Sequence, residues 1–320
     1  MERIRQCDLA IVGGGLAKRR PEARAADRGP ARLGGEHLWC FLESDIVFDN
    51  RPLVVPLAAH WWDGRDAFFP GHHRALVTRC HAITAERLCE ALRRAFPAER
   101  ILTSRRAIGV GPRSVVQEGG FRFVRLQPLA ADRLRGKDHQ DDDAPADDRD
   151  ARLIRVAARA EARGWRISEV GQGQEGARPI VLNGDFEAHW RSGGSRAATV
   201  GERAALVHPA AGDALSEAVR VARLPNWSAP ALHDALHSFA RAAWRERRFY
   251  RRFNRMQFRT ARPAERHRML DRLYRLDESL IGRFYAGSLT ARDKTRIVAG
   301  RPTVPIGRAL RVAAGVRGGV

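Results

Sequence analysis

The sequence predicts an α/β protein with a helical C-terminal region, and three observations carry that prediction. A short apolar run, CDLAIV (Cys7 to Val12), ends in glycines, the pattern of a buried parallel strand feeding a tight turn. Strand-like and helix-like segments then alternate along the first two thirds of the chain, as α/β architectures do. From Pro230 onward apolar residues recur at helical spacing: Leu232, Leu236, Phe239 and Ala243, continued by Phe249, Phe253 and Met256. The chain therefore reads as an interleaved region over 1–225 and a helical region over 226–320.

Gly13 and Gly15, just after the first strand, supply the first two glycines of G-x-G-x-x-G. One makes the turn of a Rossmann unit and the other lets the backbone approach a pyrophosphate. Lys18 stands where the third belongs. An acidic residue is expected about 20 residues on to take the ribose hydroxyl; Asp27 is the nearest candidate. Lys18-Arg19-Arg20-Pro21 offers no apolar helix face, and Pro21 breaks a helix interior, so the crossover reads as shortened. Without that crossover, a plain glycine turn in some α/β domain is the competing reading. Gly34 to Trp39 reads as a loop, followed by a mixed segment to Pro70. Thr84 to Ala95 reads as a helix with Thr84 as N-cap and Leu88, Ala91, Leu92 and Ala95 on one face. Phe121 to Leu129 alternates like a strand, Asp141 to Asp150 is a charged loop, and Leu153 to Ala162 is an alanine-rich helix. Trp165 to Val170 and Ile180 to Leu182 are further strand candidates.

With 320 residues and 44% hydrophobic content the chain builds a sizeable core and is not a disordered protein. The formal net charge is +20, and only Lys18, Lys137 and Lys294 among the 57 basic residues are lysine. That skew is as consistent with a GC-rich genome as with phosphate binding. The excess concentrates in 241–311, where a patch of that sign meets nucleic acid or anionic lipid. No apolar run reaches bilayer-spanning length and the N-terminus lacks an apolar leader core, so a cytoplasmic or peripheral protein is expected. Cys7, Cys40, Cys80 and Cys89 lack metal-ligand spacing and read as reduced core cysteines; Asp141-Asp142-Asp143 beside His139 reads as a solvated loop, so no metal is expected.

Several stretches together resemble the bacterial lycopene β-cyclase family of carotenoid-forming flavoproteins: DLAIVGGGLA, GGEHLWCF, PLAAHWWDG, FPGHHRAL, AITAERL, GFRFVRLQPLAADRL, GDFEAHWRSGG, LVHPAAG and the long run from FNRMQFRTARP to TVPIGRAL. Their order and number make the resemblance specific. It implies a Rossmann-type FAD/NAD(P)-binding domain interleaved with a substrate domain, and a helical C-terminal part. It also implies cyclisation of the linear ends of lycopene to β-ionone rings without net redox change. Reduced FAD is the implied cofactor, NAD(P)H the implied reductant, and the inner membrane face the implied location. A cation on a hydrocarbon needs a preorganised negative field in a dry site, which suits that chemistry.

Matched position by position, the resemblance places cofactor contacts at Gly13, Gly14, Gly15, Leu16 and Ala17, with Asp27 as the ribose acid. It adds Gly34 and Gly35 in the following loop, and His208, Pro209 and Gly212 in the stretch His208-Pro209-Ala210-Ala211-Gly212-Asp213. The family's two threonines and tyrosine are absent from that last stretch. Lys137 occupies the place of the family's catalytic glutamate and leaves Asp138 as proton donor; a lysine cation beside a developing carbocation repels it. The stretch between Ile108 and Phe121 is also shorter than in the family. A catalytically inactive homologue acting as a membrane-associated binding protein is thus a standing alternative, as is another FAD-dependent oxidoreductase. A sequence-reading nucleic-acid binder lacks a recognition motif. Trp61-Trp62 and His72-His73 read as packing and surface residues.

Overall fold

The computed structural model describes residues 38–103, 157–158, 161–162, 164, 180–192, 198–212, 214–224, 232–261 and 265–299, and the backbone of 3–7, 11–12, 107–110, 114–117, 121–125 and 130–131. The chain forms two units, 1–136 with 180–320 and, separately, 137–179. In the second, Ala157, Ala158 and Glu161 are helical, within the span expected as an alanine-rich helix.

In the first unit the described N-terminal backbone forms β1 (Arg3–Cys7), which ends where the apolar run begins, and β2 (Ile11–Val12), which ends it. β3 (Leu38–Leu42), β4 (His60–Trp62) and β7 (Cys80–Thr84) form an antiparallel sheet in the order β3-β7-β4. Leu38 and Trp39, expected in a loop, begin β3. The strand wins over the Gly34-Gly35 signal because Trp39 and Phe41, two residues apart, bury their rings on the same core as Ile83. Cys89 is buried as expected, whereas Cys40 faces solvent on β3.

β5 (Arg65–Phe69) and β6 (His72–Leu76) make a hairpin. Its turn places Gly71 at φ 73°. At its base Gly64 has φ 96°, and a side chain there would meet the Leu76 carbonyl oxygen at 2.4 Å, so only glycine fits.

Two short helices follow or flank these strands. α1 (Arg51–Val54) buries Val54, and α2 (Ala85–Ala95) starts as expected, with Thr84 Oγ1 accepting from the Arg87 amide at 3.2 Å. β8 (Ala107–Val110), β9 (Ser114–Gln117) and β10 (Phe121–Arg125) run antiparallel in sequence, and β10 pairs in parallel with β1. β11 (Ala130–Ala131) pairs in parallel with β2 on one side and with β12 (Ala198–Thr199) on the other.

The remaining described chain is helical: α3 (Phe186–Arg191), α4 (Leu215–Ala222), α5 (Leu232–Glu246), α6 (Arg248–Arg255), a π-turn over Met256–Thr260, α7 (His267–Tyr274), α8 (Glu278–Tyr285) and α9 (Ala291–Val298). Ile180–Leu182 is not a strand. It runs irregularly into Asp185, whose carboxylate caps α3 by accepting from the amides of Glu187 and Ala188. Of the predicted stripe on α5, Leu232, Leu236 and Ala243 are buried in a core with Phe186, Leu206 and Val221, and Phe239 packs partly buried against it; Ala240 is a further buried residue on that helix. A second core joins Tyr250, Phe253, Leu273, Leu280, Ile281 and Phe284 to Leu76 of the hairpin.

Candidate functional site

β2 and β12 flank β11 in a parallel trio, and both lead directly into segments singled out in the sequence. Gly13 follows β2 at its carboxyl end, the position at which parallel α/β sheets receive a nucleotide. Gly13, Gly14, Gly15, Leu16, Ala17, Asp27, Gly34, Gly35, Lys137, Asp138, His139 and the Asp141–Asp143 run all lie outside the described residues.

β12 leads through a short 3-10 turn, Gly201–Ala204, into Val207 to Gly212, and here the geometry is defined. Ala205 takes φ 56°, the one left-handed conformation at a non-glycine residue among the described residues, and its amide closes the turn on Glu202 at 2.8 Å. His208 is buried at 2% exposure. Its Nε2–H donates to the Phe284 carbonyl at 3.0 Å, while Nδ1 accepts from the amides of Ala211 at 3.0 Å and Ala210 at 3.3 Å. The ring lies edge-on to Tyr250 with centroids 4.7 Å apart. Burial, reinforced by the Arg247 cation, pushes its pKa down to about 3. His208 is therefore a neutral imidazole that organises the turn, and near neutral pH it neither gives nor takes a proton.

One bond within the turn and two side chains from the helical region hold it. The Gly212 amide donates to His208 O at 2.7 Å, with Gly212 at φ 67°. Asn254 on α6, buried at 1%, donates through Nδ2 to Pro209 O at 2.8 Å and to Val181 O at 3.1 Å. Arg247, between α5 and α6, donates through Nη1 to Val207 O at 3.0 Å and pairs through Nη2 with Glu217 of α4, both side chains being buried. Arg220 adds a second contact to Glu217 at 3.1 Å. Desolvation lowers the Arg247 pKa and the Glu217 carboxylate opposes that shift. The sequence singled out His208, Pro209 and Gly212 of this turn but not Arg247, Glu217 and Asn254, which hold it. In a chain with so many arginines, nothing local marks the one that turns inward.

A separate polar cluster ties the β5–β6 hairpin to the helices. His72 Nδ1 and Asp271 Oδ1 are 2.6 Å apart, and Asp271 also accepts from Arg275. Glu278 accepts from both the amide and the hydroxyl of Thr78 at 2.7 Å, which holds its carboxyl below the usual range against the effect of burial. The hydroxyls of Tyr274 and Tyr285 are 3.1 Å apart, with Arg65 over both rings. Trp61 and Trp62 are exposed, as expected of surface residues, and His73 pairs with Asp66 at the surface. Among the described residues there is no cluster of three or more metal-ligating side chains, and no helix is long and apolar enough to cross a membrane.

A family model described as lycopene cyclase protein matches residues 112–311. The chain is 31% identical to a lycopene beta-cyclase of Pseudescherichia vulneris, covering 96% of this chain and 97% of the relative. It is 30% identical to a lycopene beta-cyclase of Pantoea ananas, covering 95% and 97%, and 29% identical to one from Paracoccus sp., covering 95% and 96%. The first alignment runs over 374 positions, more than the 320 residues of this chain, so the relative carries within it segments that this chain lacks. No solved structure matches.

Proposed function

The chain belongs to the lycopene cyclase family, and from that premise we propose that it closes the linear ends of lycopene or a related carotenoid into β-ionone rings, without net redox change, as a peripheral protein on the cytoplasmic face of a membrane. The observation that carries this reading is the end-to-end alignment: the likeness covers the glycine turn, the His208 turn and the helical region together.

In this reading the Rossmann-type part of 1–225 holds FAD through Gly13, Gly14, Gly15, Leu16, Ala17, Asp27, Gly34 and Gly35, with the turn at His208, Pro209 and Gly212 on its flavin side. The helical part is 226–320. Bound in its reduced form, with NAD(P)H as the source of electrons, the flavin supplies negative charge near a developing carbocation. The parallel trio and its glycine-terminated strand support that placement. His208 contributes position rather than protons, because its imidazole is neutral and all its ring nitrogens are engaged. The proton donor is then Asp138, beside Lys137.

A second reading, a catalytically inactive homologue that binds carotenoid or membrane, is favoured by two observations: Lys137 at the acid position, and the segments present in the relatives and absent here. Pigment analysis of lycopene-accumulating bacteria expressing the chain separates the two. Cyclic carotenoid from the unaltered chain is the expected result. Product only from Lys137→Glu locates the loss at that residue, and lycopene alone from both soluble proteins leaves the second reading.

A further inference from the structure

The helical stretch that clamps the His208 turn carries arginines on its opposite side as well. Arg245 lies in the last turn of α5, Arg248, Arg252 and Arg255 lie on α6, and Arg259 follows in the π-turn. On α6 the spacing of four and three residues places Arg248, Arg252 and Arg255 along one face, with Arg245 before it across the junction at Arg247 and Arg259 after it. Arg245, Arg248, Arg252 and Arg259 are exposed and Arg255 is half-buried. Among the described residues no carboxylate pairs with any of the five, and Glu246 is the only acid within 245–259. Arg255 Nε is buried with no hydrogen-bond partner. The arginines repel one another: Arg252 and Arg248, after burial, lower the Arg255 pKa, and Arg255, Arg247 and Arg248 help hold the inward-facing Arg251 down at about 10.

Five uncompensated guanidiniums within fifteen residues exceed what one phosphate or pyrophosphate fills. They match a surface bearing many phosphates. Of the aromatic rings on α6, Tyr250 and Phe253 are buried, at 1% and 3% exposure, and Phe249 packs half-buried against both, which engages them with the core rather than with the base stacking that single-stranded nucleic acid uses.

We propose that Arg245, Arg248, Arg252, Arg255 and Arg259 form the surface by which this protein lies on anionic phospholipid, their guanidiniums seated among headgroup phosphates. The choice of a bilayer as occupant rests on the carotenoid reading above, since a long hydrocarbon substrate resides in membrane. An interfacial helix with arginines outward and its apolar side on the protein core places that bilayer against the helical region.

Vesicle flotation of the full-length protein tests this. Wild type is compared on phosphatidylcholine vesicles with and without phosphatidylglycerol, beside Arg245→Gln/Arg248→Gln/Arg252→Gln. A control, Arg93→Gln/Arg100→Gln/Arg292→Gln, removes the same charge from exposed arginines elsewhere. Wild type and control should float with phosphatidylglycerol and release as salt is raised, and the stripe variant should bind on the order of 100-fold more weakly, from three lost headgroup contacts. Equal loss in the control means generic polycation behaviour and overturns the proposal. So does failure of wild type to float, or its release by single-stranded DNA or inorganic phosphate at matched ionic strength. Flotation requires neither flavin nor turnover. A chain that floats and makes no cyclic product keeps this surface, and one that cyclises without floating loses only the surface.

Discussion

Between the end of α5 and the middle of α6, Arg247 and Arg251 turn inward and are buried, while Arg245, Arg248 and Arg252 turn outward and are exposed. On the inner side every guanidinium is engaged: Arg247 with Glu217 and Val207 O, Arg251 with Trp244 O at 2.7 Å and, at 3.8 Å, with the Trp244 ring itself. On the outer side the described residues offer no carboxylate. The same residue type thus does two jobs. Inward, a buried charge fixes a turn at the end of a parallel strand, and losing its partner endangers the fold. Outward, charge costs the fold little and is free to meet something else.

The largest test of that contrast is Glu217→Ala, which strands the Arg247 cation in the interior. We expect a loss of about 3–5 kcal/mol in urea unfolding, and recovery of much of it in Glu217→Leu/Arg247→Met. A single-variant loss under about 1 kcal/mol would erase the distinction between the faces. His208→Ala comes next, at about 3 kcal/mol, from the cavity and the unpaired amides of Ala210 and Ala211.

His208 also makes a signed pH prediction. Its folded pKa, about 3, lies below the unfolded 6.5, so between these values the unfolded chain binds more protons and stability falls as pH falls. This one site contributes a slope of up to about 1.4 kcal/mol per pH unit in that window, and none above it. His208→Gln should flatten the stability profile between pH 6 and 4, and an unchanged slope would assign the acid sensitivity elsewhere.

Asp293 is an intermediate case. It accepts from Arg283 at 2.7 and 2.8 Å and closes the α9 capping box with Thr290, so its carboxyl is held far below the usual range, but Arg283 is partly exposed. Asp293→Ala should cost about 1–2 kcal/mol by thermal or urea unfolding. Smallest of all, Arg248→Gln should change stability by less than about 0.5 kcal/mol while weakening vesicle binding.

What could be read from the sequence follows the same division. The α5 stripe was legible because four apolar residues at helical spacing repeat a local signal. The Thr84 cap was legible because capping is local, and the His208 turn because proline and glycine mark it. The start of β3 was not legible, since its burial depends on Ile83, distant in sequence, while adjacent glycines argued for a loop. The Arg247–Glu217 pair was not legible either. Thirty residues separate the partners, and only the packed structure says which arginine among so many lies inside. Ile180–Leu182 read as a strand from its β-branched and aliphatic residues, yet its Val181 carbonyl goes to the Asn254 side chain instead of to a ladder. The resemblance of the whole chain identified the family that the local glycine signal alone could not.

The parallel pairing of the first strands has a consequence during synthesis. Among the described residues β1 finds its partner in Phe121–Arg125 and β2 in Ala130–Ala131, and the trio is completed by Ala198–Thr199. A ribosome adding roughly 5–20 residues per second holds the amino-terminal strands unpaired for on the order of ten seconds before the first partner is made. Over that interval the apolar Ile11–Val12 edge is open to neighbouring nascent chains. Yield in the cell should therefore respond to chaperone supply and growth temperature through this long-range closure, independently of how stable the finished molecule is.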